Sequence, residues 1–176
     1  MDRFNRYFIS FILYAVIGWC YEVFLEVVVY RWGFTNRGVL YGPYCPVYGV
    51  GAMLFLLTIY PRLKDRTLRE KILAIPLVFL SCMVLATVLE LATSYLLEFF
   101  TGSWPWQTYV DYRYNFEGRI ALSPSVRFGL GGILFLYILQ PLFDRIIDRL
   151  GPERSKKITV LAAVILIVDM ICTFLL

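Results

Sequence analysis

Residues Tyr7 to Tyr30 form an apolar run long enough to cross a bilayer, yet Glu22 and Glu26 sit inside it. The combination recurs from Ile72 to about Phe100, where Glu90 and Glu98 interrupt a second apolar run. About 20 residues of helix cover the ~30 Å of hydrocarbon in a bilayer, so both runs read as membrane spans. An ionised side chain at that depth costs at least ~3 kcal/mol, even on lenient insertion scales. Four such residues exceed what packing requires, and they point to a polar site inside a membrane protein.

The rest of the chain fits an all-α, polytopic membrane helix bundle. It is 60% hydrophobic, against ~45–50% for a soluble domain. Its 176 residues suit one integral membrane domain, 1–176, and leave no room for a soluble catalytic or nucleotide-binding domain. No phosphate-binding Gly-Lys-Ser/Thr loop is present, so any ATP dependence must come from a partner. The absence of histidine removes Ser-His-Asp and Cys-His catalysis and imidazole metal ligation. Cys20, Cys45, Cys82 and Cys172 are scattered singly, with no Cys-x-x-Cys. No cofactor and no metal site is expected. The first run carries two glutamates and lacks a small-residue cleavage site after it, so it reads as a retained span rather than a signal peptide.

Five spans are expected: 7–30, 46–60, 72–100, 122–142 and 158–176. The second is too short to cross alone. Arg3 and Arg6 precede the first span, five basic residues lie in 61–71 and five in 143–157. The remaining loops are poorer in charge, with Arg31 and Arg37 in one and Arg113 and Arg119 in the other. Positive charge favours the cytoplasmic side. The expectation is therefore a multi-pass cell-membrane protein with a cytoplasmic N-terminus and an external C-terminus. The net charge of +4 is assigned to topology, not to nucleic acid. Leu142, Phe143, Ile146, Ile147 and Leu150 recur at helical spacing, which predicts an amphipathic helix end lying at the interface.

The chain also reads as a weak internal duplication. Each half runs from a helix with two glutamates, through Asn and a Gly–Arg or Arg–Gly pair, to Pro, Gly and a second helix. The repeats would be 7–60 and 72–142, with 158–176 as an extra span. Glu22 and Glu26 share a helix face, as do Glu90, Ser94 and Glu98. The Gly/Pro stretches 36–46 and 113–124 are expected to enter the membrane as re-entrant segments, since bare backbone at that depth must be buried in protein or line a wet cavity. Arg37, Arg119 and Arg127 are the natural partners for the carboxylates. Gly129 to Gly132 allow close helix packing. Asp169 stands alone in the last span, with either a cation or a second copy as its counterpart.

Gly18-Trp19, Glu22, Asn36-Arg37-Gly38, Leu40-Tyr41-Gly42-Pro43, Cys45-Pro46 and Tyr48-Gly49 form an unusual run, followed by Glu90, Leu97-Glu98, Asp111-Tyr112, Asn115 and Gly118-Arg119-Ile120. On these residues the sequence resembles the CmpB-like family of ABC-transporter permeases, from about residue 15 to about residue 132. Family members commonly carry Trp-Trp-Asp-Tyr where this chain has Trp104-Pro105-Trp106 and, later, Asp111-Tyr112. The resemblance implies a small membrane subunit working with a separate cytoplasmic ATPase.

The leading expectation is a permease subunit with a polar site opening outward toward an unidentified small-molecule or lipid substrate. Glu22, Glu26, Glu90 and Glu98 would supply charge. Arg37 and Arg119 would balance it or hold an anionic group, and Asn36, Cys45 and Asn115 would line the walls. Two other classes stay open. Paired carboxylates serve as acid and base in an intramembrane enzyme acting on a lipid-linked or lipid-phosphate substrate. A salt-bridged core alone suits a structural or assembly protein. No catalytic residue is assigned, and the oligomeric state stays open.

Overall fold

A computed structural model describes residues 2–175, and its elements are nearly all helical. Helix α1 spans Arg3–Phe24 and continues as a π-helical turn over Leu25–Val29. It starts where the Asp2 carboxylate accepts the Phe4 N–H at 3.3 Å, relieving one of the unpaired amides of a helix N-terminus. An irregular stretch leads to α2, Pro46–Thr58. The expected basic loop 61–71 is largely helical, as α3 (Tyr60–Leu63) and α4 (Leu68–Leu73). The Thr67 hydroxyl and the Glu70 carboxylate cap each other's backbone at the start of α4.

Helix α5 runs from Ile75 to Thr101 and stops at Gly102, whose φ of 77° only glycine adopts freely. A 3₁₀ turn, Gln107–Asp111, precedes a two-residue hairpin of β1 (Asn115–Phe116) and β2 (Ile120–Ala121), antiparallel with Asn115 opposite Ala121. Helix α6, Leu122–Leu134, passes through a π turn, Phe135–Leu139, into α7, Gln140–Leu175. No loop separates the fourth and fifth expected spans. Gly151, at φ 73°, followed by Pro152, makes a kink inside α7 instead. The basic residues of 143–157 therefore lie on helix.

Among the described residues, three helical stretches are long and apolar enough to cross a membrane: Arg3–Val29, Ile75–Thr101 and Leu122–Leu175. Pro46–Thr58 is apolar but shorter, about 20 Å at the helical rise per residue. The chain divides into two compact units, one of Met1–Met53 with Pro141–Leu176, the other of Leu54–Gln140.

In the first unit, Tyr14 meets Phe143 edge-on with ring centroids 5.2 Å apart. Ala15, Leu40 and Tyr44 form a small core with Val16 and Leu166 against it. Arg6 bridges Asp144, at 2.6 Å, and Asp148. The 142–150 segment is thus not a simple amphipathic face. Phe143, Asp144 and Ile147 are buried, whereas Leu142 and Ile146 are exposed. In the second unit α5 packs along α6. A Cβ on Gly129 would fall 2.6 Å from the Phe79 ring, and one on Gly132 would fall 2.4 Å from Cys82. Those two glycines give the close packing that the sequence suggests, while Gly131 faces open space.

Candidate functional site

The residues singled out from the sequence fall into both units. Glu22, Glu26, Asn36, Arg37 and Cys45 belong to the first, and Glu90, Glu98, Asn115 and Arg119 to the second.

In the first unit the chain turns at the end of α1 and runs back beside it. Cys45 N–H reaches the Ala15 carbonyl at 2.9 Å. Ala15 lies about 21 Å back along the helix from Val29 at the helical rise. Buried Glu26, on the π turn, accepts the Thr35 hydroxyl at 2.6 Å and the Thr35 amide at 3.2 Å. Its carboxylate also meets the Arg37 guanidinium at 3.0 Å. Three donors on one carboxylate form a charge-assisted cluster. Glu22 accepts the Tyr48 phenol instead. Tyr48 comes that close because Gly18 leaves room for its ring. A Cβ on Gly18 would sit 2.2 Å from it. Asn36 organises the turn, accepting from the Trp19 indole at 2.8 Å and donating to the Leu40 and Tyr41 carbonyls.

Among the described residues, the donors to Asp169 are amides and hydroxyls rather than a cation. Its carboxylate accepts the Tyr41 amide at 2.9 Å, the Gly42 amide at 2.7 Å, the Tyr44 phenol and the Thr173 hydroxyl. The lone acid of the 158–176 stretch thereby holds the Gly/Pro segment by its backbone.

In the second unit the segment after α5 folds back along it in the same manner. The Tyr109 phenol donates to Glu90 at 2.9 Å, about 17 Å back from Thr101 along the helix. The phenol is the donor of this pair and the carboxylate its acceptor. The second Glu90 carboxylate oxygen is buried without a hydrogen-bond partner.

Arg119 has a denser environment. It meets Glu98 at 2.5 Å and Glu117 at 3.6 Å. Its guanidinium carbon lies 4.1 Å from the Tyr95 ring centroid and 4.0 Å from that of Trp104. The cation is sandwiched between two aromatic faces. The Trp106 indole donates to the Arg119 carbonyl at 2.8 Å. Asn115 shapes the turn, donating to the Val110 and Tyr112 carbonyls and accepting the Gly118 amide at 2.9 Å. Arg127 donates to the Tyr112 and Ser123 hydroxyls.

The two units follow one scheme. One glutamate pairs with an arginine (Glu26 with Arg37, Glu98 with Arg119), the other accepts from a tyrosine (Glu22 from Tyr48, Glu90 from Tyr109), and an asparagine caps the returning turn. The sequence reading missed Thr35, Tyr48, Tyr109 and the amides at Tyr41 and Gly42. Tyr48 lies inside the Cys-Pro-x-Tyr-Gly run, which was a usable signal. Tyr109 is one aromatic among several between Trp104 and Tyr114, and nothing in the sequence sets it apart.

The family model described as "Putative ABC-transporter type IV" matches residues 9–174, nearly the whole chain. The chain belongs to that family. No curated protein and no solved structure matches it.

Proposed function

We propose that the chain is the membrane-embedded permease subunit of an ABC-type transporter, paired with a separate cytoplasmic ATPase. Glu90 carries the reading beyond family membership. A carboxylate within an apolar helix, with one oxygen held by a phenol and the other buried and unmet, is costly unless something else engages it. A substrate cation, ammonium group or proton would meet that need. Glu22, held by a single phenol, is the matching position in the other half.

The remaining polar residues divide by role in this reading. Glu26 with Arg37 and Glu98 with Arg119 are committed to each other and stabilise the returning segments. Asn36 and Asn115 shape the turns, and Cys45 anchors the first segment to α1 through its amide. The two glutamate–arginine pairs also favour a second reading, a structural or assembly protein whose charges serve only its core.

Five spans remain the proposed topology. The short α2 is completed by the returning 36–46 segment, and the Gly151 kink divides the last two spans. The common scheme of glutamate, arginine, tyrosine and asparagine supports a pseudo-repeat of helix, re-entrant segment and helix. The loop charges support a cytoplasmic N-terminus and an external C-terminus, with the site opening outward.

The test is purification of the tagged chain from its native membrane, with an ATPase assay of whatever accompanies it. A stoichiometric ATP-binding subunit is expected. Glu90→Gln should leave the fold and assembly intact, because Tyr109 can still donate to an amide oxygen, while uncoupling ATP turnover from transport. Recovery of the chain with no nucleotide-binding partner would overturn the permease assignment. Glu90→Gln and Glu22→Gln that unfold the protein would favour the structural reading.

A further inference from the structure

The second unit carries a cavity of about 580 Å³ that belongs to neither polar cluster. One wall is α5, through Leu77, Val78, Leu80, Ser81, Val84 and Leu85. The opposite wall is the end of α2 and α3, where Arg62 and Arg66 join the lining. No acidic residue lines it. Leu77, Leu80 and Val84 are exposed, so the apolar part is open along a helix that reads as a membrane span. Arg62 spends one guanidinium nitrogen on the Thr58 carbonyl and has further N–H donors free to project. Glu70, which feels the Arg66 charge, lies outside the groove and spends its hydrogen bonds on Thr67.

We propose that this groove binds an anionic phospholipid, with its phosphate on Arg62 and Arg66 and an acyl chain along Leu77 to Leu85. The two halves of the cavity match the two halves of such a lipid. A phosphate at an apolar boundary is held by guanidinium forks, and a methylene chain is held by apolar wall. A headgroup with no net charge would leave the two arginines without a counter-charge inside the groove, whose lining holds no acid. A protein segment would need apolar contacts at one end and a negative end at the other. The inference does not depend on the transport reading.

The test uses the full chain in neutral detergent, titrated with phosphatidylglycerol or phosphatidylcholine and read by native mass spectrometry. Phosphatidylglycerol should be retained preferentially. Arg62→Ala with Arg66→Ala should weaken its retention by about thirtyfold, from the loss of two near-surface basic charges, and leave phosphatidylcholine unaffected. The paired lysine variant should keep most of the preference and serves as the folding control. Val84→Trp, which fills the groove, should lower retention of both lipids, and glycerol phosphate should not compete. The proposal is overturned if the alanine pair keeps the preference, if Val84→Trp leaves lipid counts unchanged, or if glycerol phosphate displaces the lipid. It also fails if Val84→Trp changes the oligomeric mass rather than the bound lipid, which would make the groove a protein interface.

Discussion

Replacing Arg119 separates two accounts of what holds the second unit's returning segment. Arg119 is 8% exposed. It carries a close ion pair to Glu98, a longer one to the exposed Glu117, and two aromatic faces, Tyr95 and Trp104. The Glu98 side chain is 41% exposed, so the ion pair has the strength of a surface pair, about 1 kcal/mol or less, rather than the ~3–5 kcal/mol lost on breaking a buried one. Cation–π contacts run from ~0.5–1 kcal/mol when exposed to ~2 kcal/mol when desolvated. Tyr95 is 44% exposed and falls at the low end. Trp104 is partly buried and falls higher. Together the two rings contribute about 2 kcal/mol, and the sandwich outweighs the salt bridge.

Arg119→Lys keeps a charge near Glu98 but loses the planar stack, so it should cost about 2 kcal/mol. Arg119→Ala removes both and should cost about 3 kcal/mol. Glu98→Gln should cost about 1 kcal/mol or less. Equilibrium unfolding in mixed micelles, followed by helical circular dichroism, gives these differences. Trp104 fluorescence provides a local reading. The order alanine, lysine, then Glu98→Gln is the content of the prediction. If Glu98→Gln costs as much as Arg119→Ala, or the lysine variant matches the parent, the ion pair dominates and the reasoning is wrong.

Gly18→Ala should push the Tyr48 ring off Glu22, with an overpacking cost of about 1–3 kcal/mol, measured by thermal unfolding in detergent. Gly131→Ala, facing open space, is the matched control and should change little. Asp169→Ala removes the acceptor for two backbone amides and two hydroxyls, and should loosen residues 41–44 enough for hydrogen exchange at Tyr41 and Gly42 to rise at least tenfold. Unchanged protection there would show that the last helix does not hold the segment. The Thr67 hydroxyl, and then the Thr67 amide, hold the Glu70 carboxyl below its usual pKa. The α4 cap should therefore be fully formed above the ordinary carboxylate pKa and weaken as pH falls through the lowered value. Amide exchange across 68–73 should rise on acidification, and Glu70→Gln should remove that pH dependence. Labelling of terminal tags in intact cells should find the C-terminus outside and the N-terminus inside, and reversed access would sink the proposed topology.

What could be read from the sequence follows from how strongly the bilayer constrains each feature. Apolar runs of span length have few alternatives, so α1, α5 and the long stretch from α6 through α7 were legible. Their ends were not, because a helix crossing into an interface has no compositional edge. Gly151-Pro152 looks like a loop in sequence. A glycine at positive φ followed by a proline at the start of a new helical stretch turns the chain in a single residue, so no loop is needed. The acids were legible because a carboxylate in hydrocarbon is expensive wherever it points.

Their partners were only half legible, for a chemical reason. A buried carboxylate needs donors, not specifically cations. The reading from residue types sought arginines, and the structure supplies Arg37 and Arg119 for two of the four glutamates. Phenols serve the other two, and a phenol leaves no charge pattern to follow. Asp169 shows the limit most clearly, because two of its donors are main-chain amides that every residue but proline possesses. The motif Leu40-Tyr41-Gly42-Pro43 is therefore better understood as the shape of an anion-accepting turn than as a set of side chains. Gly42 donates its amide to Asp169, and Pro43 supplies no amide that would compete. A chain that meets acids with phenols and amides keeps its arginines for the few places where a planar cation is required. Arg119, clasped between Tyr95 and Trp104, is such a place.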